Sequence, residues 1–183
     1  MDARSRRSRE KLRAAVLTLA ALIPVTEISV AAICREAGIT RDTFYRHATD
    51  PVALLSDALA AELDAVITQL PERDGIGEAE RALLAHVQQH ADVYRSAMHP
   101  VLAAPVRSML ERAIREGLET WVRMHPHIVP SRIAGDQTAV RMATAYATAG
   151  TIGAIEVWLS SGEDDIDRAV EVILAASPEW WLR

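Results

Sequence analysis

At 183 residues and 20.0 kDa the chain fits one compact domain, or a small module joined to a larger one. Half of it is apolar and a quarter charged, which is globular rather than disordered composition, and with aromatics at only 4% the core must be built from Ala, Leu, Val, Ile and a few Met. The single cysteine, Cys34, excludes an internal disulfide and any multi-cysteine metal site, and no apolar run approaches the roughly 18 residues a membrane span needs. The opening MDARSRRSREKLR is followed by no apolar stretch of secretory type, so a cytoplasmic protein is expected.

The formal charge of −5 is unevenly spread. Residues 1–50 hold nine Lys and Arg against six Asp and Glu, whereas residues 51–183 hold eleven against nineteen. Arg4, Arg6, Arg7 and Arg9 fall within the first ten positions. A basic first third on an acidic remainder is the asymmetry expected when one end meets a polyanion.

In chain order the periodicity is helical. Leu12, Val16, Leu19 and Ile23 share a face until Pro24 stops the first helix, with the four arginines ahead of it read as a mobile arm. A short helix follows, with Ser29 as its N-cap, Val30, Ile33, Cys34 and Ala37 inward, and Gly38 at its left-handed end. Cys34 on that inner face reads as a buried, inert thiol. After Gly38-Ile39-Thr40, a third helix runs from Arg41 to His47 with Thr40 as its cap. Asp50 and Pro51 open a long fourth helix whose face is Leu55, Leu59, Leu63, Val66 and Leu70, ended by the 71–77 stretch. Further stripes run through Leu83, Val87 and Tyr94, then Leu110, Ile114, Leu118 and Trp121. Helix resumes over about 136–161 and 165–176 after a loop with two prolines. The fold class expected is all-α, with about nine helices and no strand.

The stretch ISVAAICREAGITRDTFYRH reads as a helix-turn-helix. In that motif the second helix enters the major groove by its N-terminal end, here Thr40, Arg41, Asp42 and Thr43. Arginine can bind guanine through two hydrogen bonds, threonine hydroxyls serve phosphates or bases, and a carboxylate can accept from a cytosine amino group. Phe44 faces back into the core, and Tyr45, Arg46 and His47 lie within reach of the backbone. Ser29, Arg6 and Arg7 complete the candidate DNA-binding set.

The order Ile28-Ser29-Val30, Ile33-Cys34, Ala37-Gly38-Ile39-Thr40, Thr43-Phe44-Tyr45-Arg46-His47 resembles the TetR family of transcriptional regulators, closely across residues 9–60 and only as a string of helices beyond. Ala48 departs from the family's usual aromatic, and Pro51 stands where a phosphate-holding lysine is frequent. The resemblance implies a helix-turn-helix domain over 1–50 and a helical effector-binding and dimerisation domain over 51–183. It implies a homodimer on double-stranded operator DNA, acting as a repressor that a small apolar or amphipathic effector releases. The last two long helices would pair across the dimer through Ala143, Ala147, Gly150 and Ala154, with Ile166, Val170 and Ile173. An apolar effector pocket is expected after the fourth helix, with Tyr94, Met98, Met109, Trp121, Met142 and Tyr146 as candidate lining.

His86 and His90 are four apart, as metal ligands on one helix face are, but no glutamate of a metalloprotease motif lies between them, and a surface pair is expected. His99, His125 and His127 flank prolines. No nucleophile elbow, phosphate loop or dinucleotide fingerprint occurs, so neither an enzyme nor a cofactor or metal is expected. The alternative is a dimerising helical module that does not read DNA.

Overall fold

The computed structural model describes residues 3–68, 75–98 and 102–182, among which nine α-helices and no strand occur. The helices are α1 Ala3–Ala20, α2 Val30–Ala37, α3 Arg41–Tyr45, α4 Pro51–Thr68, α5 Ile76–Gln89, α6 Ala91–Ser96, α7 Ala104–Met124, α8 Gln137–Ser161 and α9 Ile166–Ala176. The all-α expectation is met. None of the described helices is long and apolar enough to cross a membrane. Leu70 and His99 lie outside the described residues.

The helix ends follow local chemistry. Ser29 accepts from the Ala32 N–H at 3.1 Å, Thr40 from Thr43 at 3.3 Å and Asp50 from Ala53 at 2.8 Å. Asp136 and Asp165 cap α8 and α9 in the same way. Gly38 ends α2 at φ 64°, a left-handed conformation that a Cβ would strain. Three expectations need correction. α1 starts at Ala3, so Arg4, Arg6, Arg7 and Arg9 lie on a helix rather than on a mobile arm. That helix stops at Ala20, leaving Ile23 exposed instead of on the inner face. The stripe through Leu83, Val87 and Tyr94 is split, because the chain breaks at His90 and Tyr94 belongs to α6.

Two compact units partition the chain, residues 1–62 with 90–109 and residues 63–89 with 110–183. The boundary between these packing units falls inside α4. In the first unit Leu12 and Val16 of α1, Ile33 of α2, Phe44 of α3 and Leu54 and Leu55 of α4 are fully buried together. Asp57 of α4 fastens α1 to this core: Arg13 donates to it from Nε at 2.8 Å and Nη2 at 3.0 Å, and Arg9 from Nε at 3.0 Å. Burial pushes the Asp57 carboxyl up, but the hydrogen bonds and charges of Arg13 and Arg9 outweigh it and hold the pKa at about 2.

In the second unit α5 packs on α9, and Leu84 and Val87 are buried, as are Val170 and Ile173. Gly77 permits the approach, since a Cβ there would stand 3.3 Å from Leu174 Cδ1. The buried face of α8 is Thr144, Thr148, Thr151, Ile152, Ile155 and Leu159. Its threonines enter the core because Thr144 and Thr148 donate to carbonyls of their own helix, at 3.0 and 2.8 Å.

Candidate nucleic-acid interface and ligand pocket

In the first unit α2, the Gly38–Thr40 turn and α3 form the helix-turn-helix. Phe44 anchors α3 from below, which leaves Arg41, Asp42, Tyr45 and Arg46 exposed. Arg41 has no hydrogen-bond or ion-pair partner among the described residues, so its five donors are available to an incoming group. Thr40 and Thr43 hydroxyls lie 3.0 Å apart at the head of α3. Asp42 accepts from Arg46 one turn on, so both are engaged with each other rather than held open for bases. Ser29 is exposed but occupied as the α2 cap. Cys34 is buried, which raises its thiol pKa despite the lowering influence of nearby Arg41.

The head of α1 converges on the same surface. Arg4, Ser5, Arg7, Ser8, Arg9 and Lys11 face Gly38, Ile39, Thr40, Thr43, Arg46 and His47 across one polar groove of about 820 Å³. Basic side chains from two elements far apart in sequence therefore flank the N-terminal end of α3. Arg6 is outside this groove and pairs with Glu10 at 4.0 Å, while Arg9 is committed to Asp57.

The second unit holds an apolar pocket of about 70 Å³ formed by the end of α4 (Leu63, Val66), α5 (Ile76, Ala79, Glu80, Leu83) and α7 (Ala113, Ile114, Gly117, Leu118, Thr120, Trp121, Met124). The α5 and α7 residues recur at helical spacing, so the pocket lies where the apolar stripes of the two helices meet. Of the six residues expected to line it, Trp121 does. Tyr94 and Met109 are core residues of the other unit, with Met98 half-buried beside them. Met142 and Tyr146 are 68% and 75% exposed on α8. Sequence reasoning missed Glu80, the one carboxylate among the described lining residues. Its Oε1 is shut off from water with no hydrogen-bond partner, and burial raises the carboxyl to about 7.

The residues expected at a dimer seam on α8 and α9 differ in exposure. Gly150 is exposed, Ala143, Ala147, Ala154 and Ile166 are half-buried, and Val170 and Ile173 are buried within their own unit. The exposed face of α8 instead reads Met142, Tyr146, Gly150 and Val157, successive turns of one helix side. A Cβ on Gly150 or Gly153 would meet nothing within 4 Å.

The two histidines expected as a surface pair are not one. His86 is buried on α5, and His90, at the start of α6, meets Glu62 at 2.5 Å. His125 stacks on Trp121, ring centroids 3.9 Å apart.

Solved structures, a tetR-family transcriptional regulator among them, share this all-α fold. The chain is similar to the dihydroxyacetone kinase operon activator DhaS, at TM-score 0.63 and 14% identity over 96% of this chain and 98% of that one. It is similar to RolR in complex with the ligand resorcinol, at TM-score 0.61 and 20% identity over 95% and 89%. A tetR-family transcriptional regulator from Streptomyces coelicolor matches at TM-score 0.54 and 16% identity over 98% and 92%. At these identities the likeness is one of fold. No protein-family model matches the sequence, and no curated protein matches it. The expected likeness to the TetR family is borne out at that level.

Proposed function

We propose that this protein is a DNA-binding transcriptional regulator, a repressor that works as a cytoplasmic homodimer on a partly palindromic operator and is released by a small molecule bound in its second unit. The observation that carries the reading is the groove in which the arginines of α1 meet the N-terminal end of α3. Phosphates need cations beside the reading helix, and base edges need exposed donors at its head. Arg4 and Arg7 supply the first, Arg41, Thr40 and Thr43 the second, and Tyr45 and His47 lie along the backbone path. Pro51 removes a cation from the start of α4, and the helical arginines of α1 restore it.

Two half-sites require two copies held at a fixed spacing, about one DNA turn or a multiple of it. The exposed Met142, Tyr146 and Val157, interleaved with glycines at which an added Cβ would meet nothing within 4 Å, support α8 as the surface that joins them. The pocket supports an effector, as does the resorcinol bound by RolR. An effector changes DNA affinity only by its differential affinity for the two states.

Fluorescence anisotropy with fragments from the chain's own upstream region tests the proposal. A fragment bound more than about a hundredfold tighter than random duplex of equal length, at fixed salt, is the expected result. Equal, weak binding to every fragment, with the dimer intact, establishes the non-DNA-reading module instead.

A further inference from the structure

The second-unit pocket leaves two polar atoms of opposite character unsatisfied. Glu80 stands in the apolar stripe of α5 between Ile76 and Leu83, its Oε1 buried and without a donor. Trp121 on α7 presents an equally buried Nε1–H without an acceptor. Buried polar groups are nearly always paired, so an unpaired acceptor and an unpaired donor on two lining residues of one pocket point to a ligand that can supply both partners. The other described lining side chains are Leu63, Val66, Ile114, Leu118, Met124 and their small neighbours, and none of them is cationic.

We propose that this pocket takes a small amphipathic amine: its ammonium pairs with Glu80, its apolar body lies against Ile114, Leu118 and Met124, and an oxygen on it accepts from Trp121 Nε1–H. An anion is excluded by the carboxyl and by the lack of any lining cation among the described residues. A neutral alcohol can donate to Oε1 but brings no compensating charge, so the carboxyl must take up a proton or remain an unpaired charge in an apolar site, and either costs free energy that an ammonium spares. An ammonium removes that charge by pairing with it, and the low surrounding polarity strengthens the pair. The indole ring adds a face to which a cation is drawn. The volume, room for roughly five waters, suits a single ring or short chain. That the amine acts as an effector rests on the regulator reading above, whereas the pocket's preference for it does not.

Calorimetry and tryptophan fluorescence on the full chain without DNA test this with three probes of one shape: tyramine, para-propylphenol, which replaces the ammonium by a methyl, and para-hydroxyphenylpropionate. Tyramine should bind at least about tenfold tighter than para-propylphenol, and the carboxylate should not bind up to about 1 mM. Glu80→Gln should erase the preference while changing para-propylphenol affinity by less than about threefold, which also shows that the variant is folded. Trp121→Phe should weaken tyramine without altering the order of the probes. The proposal is overturned if tyramine does not bind by about 1 mM, if para-propylphenol binds as well, or if Glu80→Gln keeps the preference. Operator binding that survives while tyramine fails overturns the pocket assignment alone. Tyramine that binds through Glu80 yet leaves operator affinity unmoved supports the pocket and overturns the effector role.

Discussion

Converting Glu80 to glutamine should flatten the dependence of stability on pH. In the folded chain the Glu80 carboxyl titrates near 7 against an ordinary value of 4.5, and the whole displacement comes from burial. A carboxyl whose folded pKa is raised gives up its proton first in the unfolded chain. Below about pH 4.5 both states are neutral and nothing is lost; as pH rises towards 7 the unfolded state ionises and gains; above 7 the loss is complete. The displacement corresponds to about 3 kcal/mol, less whatever water reaches the second carboxylate oxygen of this half-buried residue. Urea unfolding at pH 5 and pH 8, at one protein concentration so that any mass action of assembly is constant, measures it. Wild type should lose up to about 2.5 kcal/mol more than Glu80→Gln between the two conditions, since part of the loss has already occurred at pH 5. Identical losses in the two proteins would mean that Glu80 ionises without penalty, and the account of a dry, unpaired carboxyl would be wrong.

Other positions give independent tests. Arg41→Ala should cost about 1–3 kcal/mol on the cognate operator and much less on random duplex; equal losses on both in an anisotropy titration would make Arg41 a phosphate contact. Gly150→Glu adds a side chain where its own chain leaves open space, so sedimentation should report a helical monomer with operator binding weakened by loss of paired half-sites; a persistent dimer rejects this face of α8 as the interface. Asp57 has a depressed pKa, so its contribution, about 2 kcal/mol, is present above about pH 4 and fades as pH falls towards 2. Asp57→Asn should therefore destabilise at neutral pH and converge with wild type under acid, and a deficit unchanged by acid would show that packing rather than the ion pairs sets it.

What could be read in advance was local. Ser29, Thr40, Asp50, Asp136 and Asp165 announce their helices because a capping oxygen acts on backbone two or three residues away, and Gly38 marks its turn by a conformation few residues tolerate. Phasing of α8 was not legible, because its Ala, Thr and Gly residues carry too little hydrophobic contrast to say which side is inward. Threonines that bond to their own helix fill the core, and Met142 and Tyr146, expected as candidate pocket lining, lie outside. Glu80 was missed as one more charge in an acidic half, although a carboxylate in phase with Ile76, Ala79 and Leu83 is a visible anomaly on an amphipathic helix. Val170 and Ile173 share a face as expected, but periodicity gives only the face and not its partner, which is the chain's own α5.

Under the proposed DNA-reading role, the clamp of Arg9 and Arg13 on Asp57 bears on how a genome would be searched. A loose arginine arm must be ordered every time it engages phosphates, at about 1–2 kcal/mol for each residue fixed. Here that ordering accompanies folding, since Arg4, Arg6 and Arg7 already lie on α1, which the clamp ties to α4. Contact with any duplex, operator or not, then requires no prior coil-to-helix step. Random DNA should be gripped and released quickly, with residence set by salt, and the distinction between sites falls to α3 alone. Loosening the clamp would slow capture of every sequence alike while leaving the ranking of operators intact.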